Sequence, residues 1–216
     1  MQNRLQKADF IALVCSDNEE VRKRFQNRFS AEINAFVEAI FAAYEAFERA
    51  IDKPINNERI AYVAAFLFNA LDNLVVSTNL LLAGHLIVSG HLTRQFGESV
   101  AMALLLSNDN LNFFSEFKRL GPKYPVHKSL NYVSRNLRQL GLDRGAWAKF
   151  MEINQAYDTS SHASAFSLCK ILHFDSGGVS IGGDYDSSKE LGYEKELKRR
   201  ISAARSLQNV IEAIHK

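Results

Sequence analysis

The sequence predicts an all-α protein, a multi-helix bundle with one small β-hairpin near residues 171–183. Three observations predict it. Apolar residues recur at helical spacing through most of the chain, the breaks between these runs fall at proline, glycine and asparagine clusters, and a strand-like alternation occurs only around one Ser-Gly-Gly turn. With 216 residues, 47% of them hydrophobic and 23% charged, the chain has the make-up of one globular domain with a sizeable core. That domain divides into an N-terminal segment (1–28), a helical core (29–170), the hairpin (171–184) and a C-terminal helix (187–215).

The first clear helix is FSAEINAFVEAIFAAYEAFERAID, residues 29–52, with Ser30 as its N-cap and an apolar row through Ile33, Phe36, Val37, Ile40, Phe41, Tyr44, Phe47 and Ile51. KPINNE breaks it through Pro54 and two asparagines, and a long apolar helix is predicted from about Glu58 to Val88. Gly90 marks the expected break before a helix over 91–107, which ends at the turn-rich SNDN. A short helix follows over 111–119. Two prolines in GPKYPVH then forbid helix. Helices are predicted next over 127–140, stopped by Gly141, and from Asp143 as cap through DRGAWAKFMEINQAYD, with a restart at SSHASAFSLCKIL. The hairpin rests on Ile171 and His173 against Val179 and Ile181, and an amphipathic helix carrying Leu191, Leu197, Ile201, Leu207, Ile211 and Ile214 closes the chain.

Bulk charge excludes some classes of function. With 26 basic and 24 acidic residues, the net charge of +2 provides no global field to steer the protein onto nucleic acid or an anionic membrane. Cys15 and Cys169 lie far apart, in no ligand-type spacing, which fits a reducing cytoplasm. No cleavable leader is expected from the N-terminus. The most apolar stretch, residues 74–90, is interrupted by Ser77, Thr78, Asn79 and His85, so a buried helix is expected there rather than a membrane span of roughly 20 apolar residues.

The segment HLTRQFGESVA, residues 91–101, sets three ionisable groups in an apolar helix. At 100° per residue, His91, Arg94 and Glu98 share one face, and that face becomes apolar one turn later at Ala101, Met102 and Leu105. An uncompensated buried ion costs several kcal/mol, so Arg94 and Glu98 are expected to pair. They can form the polar centre of a helical core, with His162 as a distant partner. Alternatively they line a cleft in which Arg94 binds an anion and Glu98 acts as a base. AYDTSSHAS, residues 156–164, adds Tyr157, Ser161 and His162 at a helix junction, but lacks the strand-turn-helix elbow of a serine nucleophile. Arg94, Glu98 and His162 are therefore the candidate catalytic groups, and His91, Tyr157 and Ser161 the candidate ligand-binding ones. No cofactor is expected. No metal is expected either, because His85, His91, Glu98 and His162 show no Glu-x-x-His or His-Glu-x-x-His spacing. The basic runs RKRFQNRF (22–29) and EKELKRR (194–200) read as solvated helix faces, and GGVSIGG lacks the lysine of a phosphate loop.

The stretch LLLAGHLIVSGHLTRQFGESVAMALLL, with Arg94 and Glu98, the later Tyr157 and the SSH ending at His162, resembles a group of uncharacterised bacterial all-helical proteins distantly similar to the HEPN and abortive-infection families. The resemblance covers roughly residues 60–185. It implies a dimeric all-α protein of bacterial defence or mobile elements, with RNA as a possible contact. HEPN ribonucleases carry an arginine, four to six residues and then a histidine, and no arginine here has a histidine at that distance. The expected function is thus a binding or interaction module, acting as a homo-oligomer or on a protein partner, cytoplasmic and not membrane-bound. The alternative is a nuclease or phosphate-handling enzyme using Arg94, Glu98 and His162.

Overall fold

The computed structural model describes residues 7–51, 57–158, 172, 178 and 181–215. Eight α-helices lie among them: α1 (Lys7–Cys15), α2 (Glu19–Ile51), α3 (Glu58–Leu82), α4 (Leu86–Ser107), α5 (Phe113–Leu120), α6 (Ser129–Arg135), α7 (Arg144–Asp158) and α8 (Glu190–Ile214). Short 3-10 turns connect the later ones.

The all-α class holds, but the hairpin predicted over 171–183 is not seen. There is no strand among the described residues: Leu172 forms an isolated bridge and Ile181–Gly182 a bend, while the other residues of 171–180, Gly178 apart, lie outside the described set. Gly183 packs against the backbone of the α3–α4 corner, where a Cβ would overlap the Ala83 carbonyl oxygen. The predicted restart helix at SSHASAFSLCKIL also falls outside the described residues.

Two helix boundaries move for identifiable reasons. The α3–α4 break comes at Ala83–His85 instead of Gly90, because Gly84 takes φ +82 and a Cβ there would overlap the backbone of Asp184. Gly90 is buried inside α4. Asn18 braces the same corner, its amide donating to the Ala83 carbonyl at 3.0 Å and to His85 Nε2 at 3.1 Å. Ser30 does not start a helix either: α2 begins a dozen residues earlier and bends at Phe29 (φ −125, ψ 31), whose buried ring contacts Phe25 and Tyr193. The helix predicted over 127–140 shrinks to α6, Ser129–Arg135, with a 3-10 turn before it and turns from Asn136 to Gly141 after it; the helix starts at 143 and 57 follow local capping chemistry. Asp143 Oδ1 accepts the Ala146 N–H at 2.7 Å and starts α7, as Asn57 caps α3 by accepting from Arg59 N–H at 2.8 Å.

α4 is the central helix, buried along most of its length between α3 on one side and α6, α7 and α8 on the others. Small residues let it lie there: Ser89, Gly90, Thr93, Gly97, Ala101 and Ala103 permit close approach. α2 packs along α8 through Ala39, Ala43 and Ala46, and α5–α7 cover the far flank of α4 with Phe113, Val133, Trp147 and Phe150. A second apolar cluster of Phe25, Phe29, Leu81, Tyr185, Tyr193 and Leu197 closes the end of the bundle near the Gly84 corner. α3 is long and apolar enough to cross a membrane by length and composition alone, yet it packs on α4 along its whole inner face.

The corner makes a sharp prediction. Gly84→Ala combines left-handed strain with a backbone overlap and should cost roughly 2–5 kcal/mol in urea unfolding. Gly121→Ala, at φ +50 with nothing within 4 Å of the new Cβ, should cost only the backbone term, about 1–2 kcal/mol.

Candidate functional site

Arg94 and Glu98 occupy adjacent turns of α4 and meet at 3.4 Å, Nε to Oε1, with side-chain exposures of 28% and 18%. They are half-buried, and they line a cleft of about 170 Å³ between α4, the turn before α6, and α7. His127 enters it from the 3-10 turn that follows Pro125, Leu130 and Asn131 from α6, and Met151, Asn154 and Gln155 from α7. Most of this lining is polar.

Asn154 is the unusual member. It is only 4% exposed, its Nδ2 donates to the Phe150 carbonyl at 3.0 Å, and its Oδ1 accepts no hydrogen bond. It sits where a Cβ at position 97 would stand, so Gly97 is what admits α7 this close to α4. A buried amide oxygen without a donor costs about 1–3 kcal/mol relative to a paired one.

Behind the cleft lies a sealed polar network centred on Arg200, which is 1% exposed. Its guanidinium donates to Glu196 Oε2 at 2.8 Å, to the Tyr157 hydroxyl at 3.3 Å, to Thr93 Oγ1 at 3.2 Å and to Ser89 Oγ. Tyr157 donates in turn to Glu196 Oε2 at 2.8 Å. One cation thereby ties α4, α7 and α8. Burial pushes the Glu196 carboxyl up, but the attraction of Arg200 and the hydrogen bonds from Arg200 and Tyr157 outweigh it and hold it below the ordinary carboxylate range. Burial raises the Tyr157 hydroxyl, which stays protonated as a donor.

The polar centre of the core is therefore Arg200 with Glu196, not Arg94 with Glu98. Arg200 falls in EKELKRR, which reads as a solvated basic run because Lys198 and Arg199 flank it. Helical spacing held the contrary signal: Tyr193, Leu197, Arg200, Ala204, Leu207 and Ile211 form one buried row. Of the predicted site residues, Arg94 and Glu98 come together in the cleft, His91 is exposed on α4 outside the cleft lining, and Tyr157 belongs to the sealed network. Ser161 and His162 lie outside the described residues. His127, Asn131, Asn154 and Gln155 were not signalled, since lone polar residues on short helices carry no motif.

The basic run 22–29 is engaged within the molecule. Arg22 donates to Asn79 Oδ1 at 3.0 Å, Arg24 lies 4.4 Å over the Tyr185 ring, and Arg28 pairs with Glu190 at 2.6 Å. Among the described residues no three His, Cys, Asp or Glu side chains converge on a metal position.

Because the Glu196 pKa is depressed by folding, its contribution is fully present above the ordinary carboxylate value of 4.5 and is lost as pH falls through the lower folded value. Glu196→Gln should cost about 1–3 kcal/mol at pH 7. The gap between its urea midpoint and the wild type's should close as pH drops below about 4. Arg200→Ala, which strands a buried carboxylate, should cost about 3–5 kcal/mol in the same assay.

Comparison of the chain with protein-family models, with curated proteins and with solved structures found no match.

Proposed function

We propose that this protein is a binding module whose cleft between α4, α6 and α7 takes a small polar ligand. The observation that carries this reading is the polar lining of the cleft, where the Arg94–Glu98 ion pair stands with His127, Asn131, Asn154 and Gln155.

The rigid frame supports the same reading. Three helices carry the lining residues, and the Arg200 network fixes two of them, α4 and α7, from behind. A site on braced helices is held more closely than one on loops.

A second reading concerns another surface and favours self-association. Val37, Phe41 and Tyr44 share one strip of α2, and Ala65, Phe68 and Val75 share one strip of α3; both strips are exposed, Phe41 at 58% and Phe68 at 54%. The Phe47–Phe68 ring contact at 5.9 Å sets the strips side by side, with Asp72 exposed between Phe68 and Val75. Exposed apolar side chains gathered on two adjacent helices favour a protein contact, and a second copy laid across them by two-fold symmetry covers both copies' strips at once.

Two measurements separate these readings. In a screen of small polar compounds followed by amide chemical shifts, hits should perturb α4, α6 and α7 and vanish in Arg94→Ala; hits that persist in that variant would refute the cleft. By light scattering, the wild type should be a dimer and Phe41→Asp a monomer; a monomeric wild type would refute self-association.

A further inference from the structure

The net charge of +2 conceals a segregation. Residues 118–149 hold eight lysines and arginines and one acidic residue, Asp143, which leaves 18 basic against 23 acidic residues in the rest of the chain. All eight cations are exposed. Lys118 pairs with Glu58 at 2.6 Å, and the other seven make no ion pair among the described residues; they include Lys128 and Arg135 at the ends of α6, Arg138 in the turn after it, and Arg144 and Lys149 on α7. Asp143 is occupied as the cap of α7, and the next acidic residues, Glu116 and Glu152, are exposed on α5 and α7 at the two edges of the segment.

The segment folds as one flank of the bundle. Phe113 of α5 meets Tyr124 at 5.3 Å and Tyr132 of α6 at 5.6 Å, and Trp147 of α7 donates its Nε1–H to Ser134 of α6 at 2.8 Å, so α5, α6 and the start of α7 are joined side by side over α4. Lys128, Tyr132 and Arg135 follow at i, i+4 and i+7 and share one face of α6. Tyr132, 36% exposed, thus stands between two cations, and it is the one large apolar side chain exposed among the described residues of 118–149.

Unpaired like charges crowded on one flank repel each other and oppose folding, and a polyanion removes that cost. The cations are strung over three elements, with Lys128 and Arg135 alone about 10 Å apart along α6, so a chain of anions meets more of them than one small anion does. A protein partner meets an apolar centre with charges at its rim, and a membrane surface takes up inserted apolar side chains; this flank offers little for either beyond Tyr132. Four of the eight cations are arginines, whose planar donors suit phosphate, and a tyrosine ring between two cations suits a stacked base. We infer that the flank formed by α5, α6 and the start of α7 binds a single-stranded nucleic acid, with its phosphates on the lysines and arginines and one base on Tyr132. This surface is distinct from the α2–α3 strips and uses neither Arg94 nor Glu98.

The test is fluorescence anisotropy of labelled oligo(dT) and oligo(U), each about 20 nucleotides long, titrated with the full chain at several salt concentrations. Binding is expected to weaken with salt, log K falling against log salt with a slope of about −3.5 to −5, the value for five to seven phosphates at roughly 0.7 each. Arg135→Glu with Arg138→Glu, folded by circular dichroism, should bind about tenfold or more weakly. Lys7→Glu with Lys195→Glu makes the same change in net charge at exposed positions on α1 and on the part of α8 that packs at the Gly84 corner, and should stay within about twofold of the wild type. Tyr132→Leu, which keeps an apolar side chain against Phe113, should bind about fivefold or more weakly, and an unchanged affinity would refute the stacked base. Binding of either oligomer in this pattern supports the inference, and the tighter of the two names the source. Polyglutamate and phosphatidylserine vesicles are titrated alongside. Equal or tighter binding to either of them, equal losses in the two double variants, binding that survives Arg135→Glu with Arg138→Glu, or no binding of either oligomer at low salt overturns it.

Discussion

Everything else in the fold is arranged around one buried guanidinium. Arg200 arrives from α8 into the interior where α4 and α7 meet, its two terminal nitrogens donating to Glu196, Tyr157, Ser89 and Thr93 while its Nε has no partner among the described residues. Desolvating a cation costs several kcal/mol, and only a well-placed set of acceptors offsets that cost. The acceptors come from three helices, so the cost is recovered only when all three are docked in one register. A row of leucines at the same place would bury as much area and tolerate sliding. The network thus specifies an arrangement more than it adds stability.

That register is what shapes the cleft. α7 carries Tyr157 at one end and Asn154 and Gln155 less than a turn before it, so fixing the tyrosine against Arg200 also fixes the amides against Gly97 and beside Arg94 and Glu98. α4 serves both sides in the same way, with Ser89 and Thr93 toward Arg200 and Arg94 and Glu98 toward the opening. The small residues of α4 are the other half of the design. Gly97 removes the one Cβ that would hold α7 away, leaving an amide oxygen buried and unpaired within a polar wall.

Much of the fold was legible because helix periodicity and punctuation are local. The apolar row of α2, the Asp143 cap and the proline-rich loop before α6 follow from residues within a turn or two of each other. The misplaced features all depend on partners distant in sequence. Gly84 rather than Gly90 breaks the α3–α4 run because Asp184, a hundred residues away, packs its backbone there. Gly183, at the end of the predicted hairpin, packs against the Ala83 carbonyl, a contact that its local sequence does not announce. Ser30 has the chemistry of an N-cap, but α2 runs through it with a bend at Phe29 over a cluster that includes Tyr193. In the site, Arg94 and Glu98 were visible as ions on an apolar helix, and their pairing followed from desolvation cost. Arg200 was hidden by its charged neighbours, although the row from Tyr193 to Ile211 on its own helix already pointed inward.

The central claim is that Arg200 and Tyr157 are energetically coupled across α8 and α7. A double-mutant cycle with Arg200→Met and Tyr157→Phe, read by urea unfolding at pH 7, tests it most directly. A coupling energy of about 1–3 kcal/mol is expected, within the roughly 0.5–3 kcal/mol found for residues that share one network. Losses that add to within about 0.5 kcal/mol would contradict it, because independent sites behave that way.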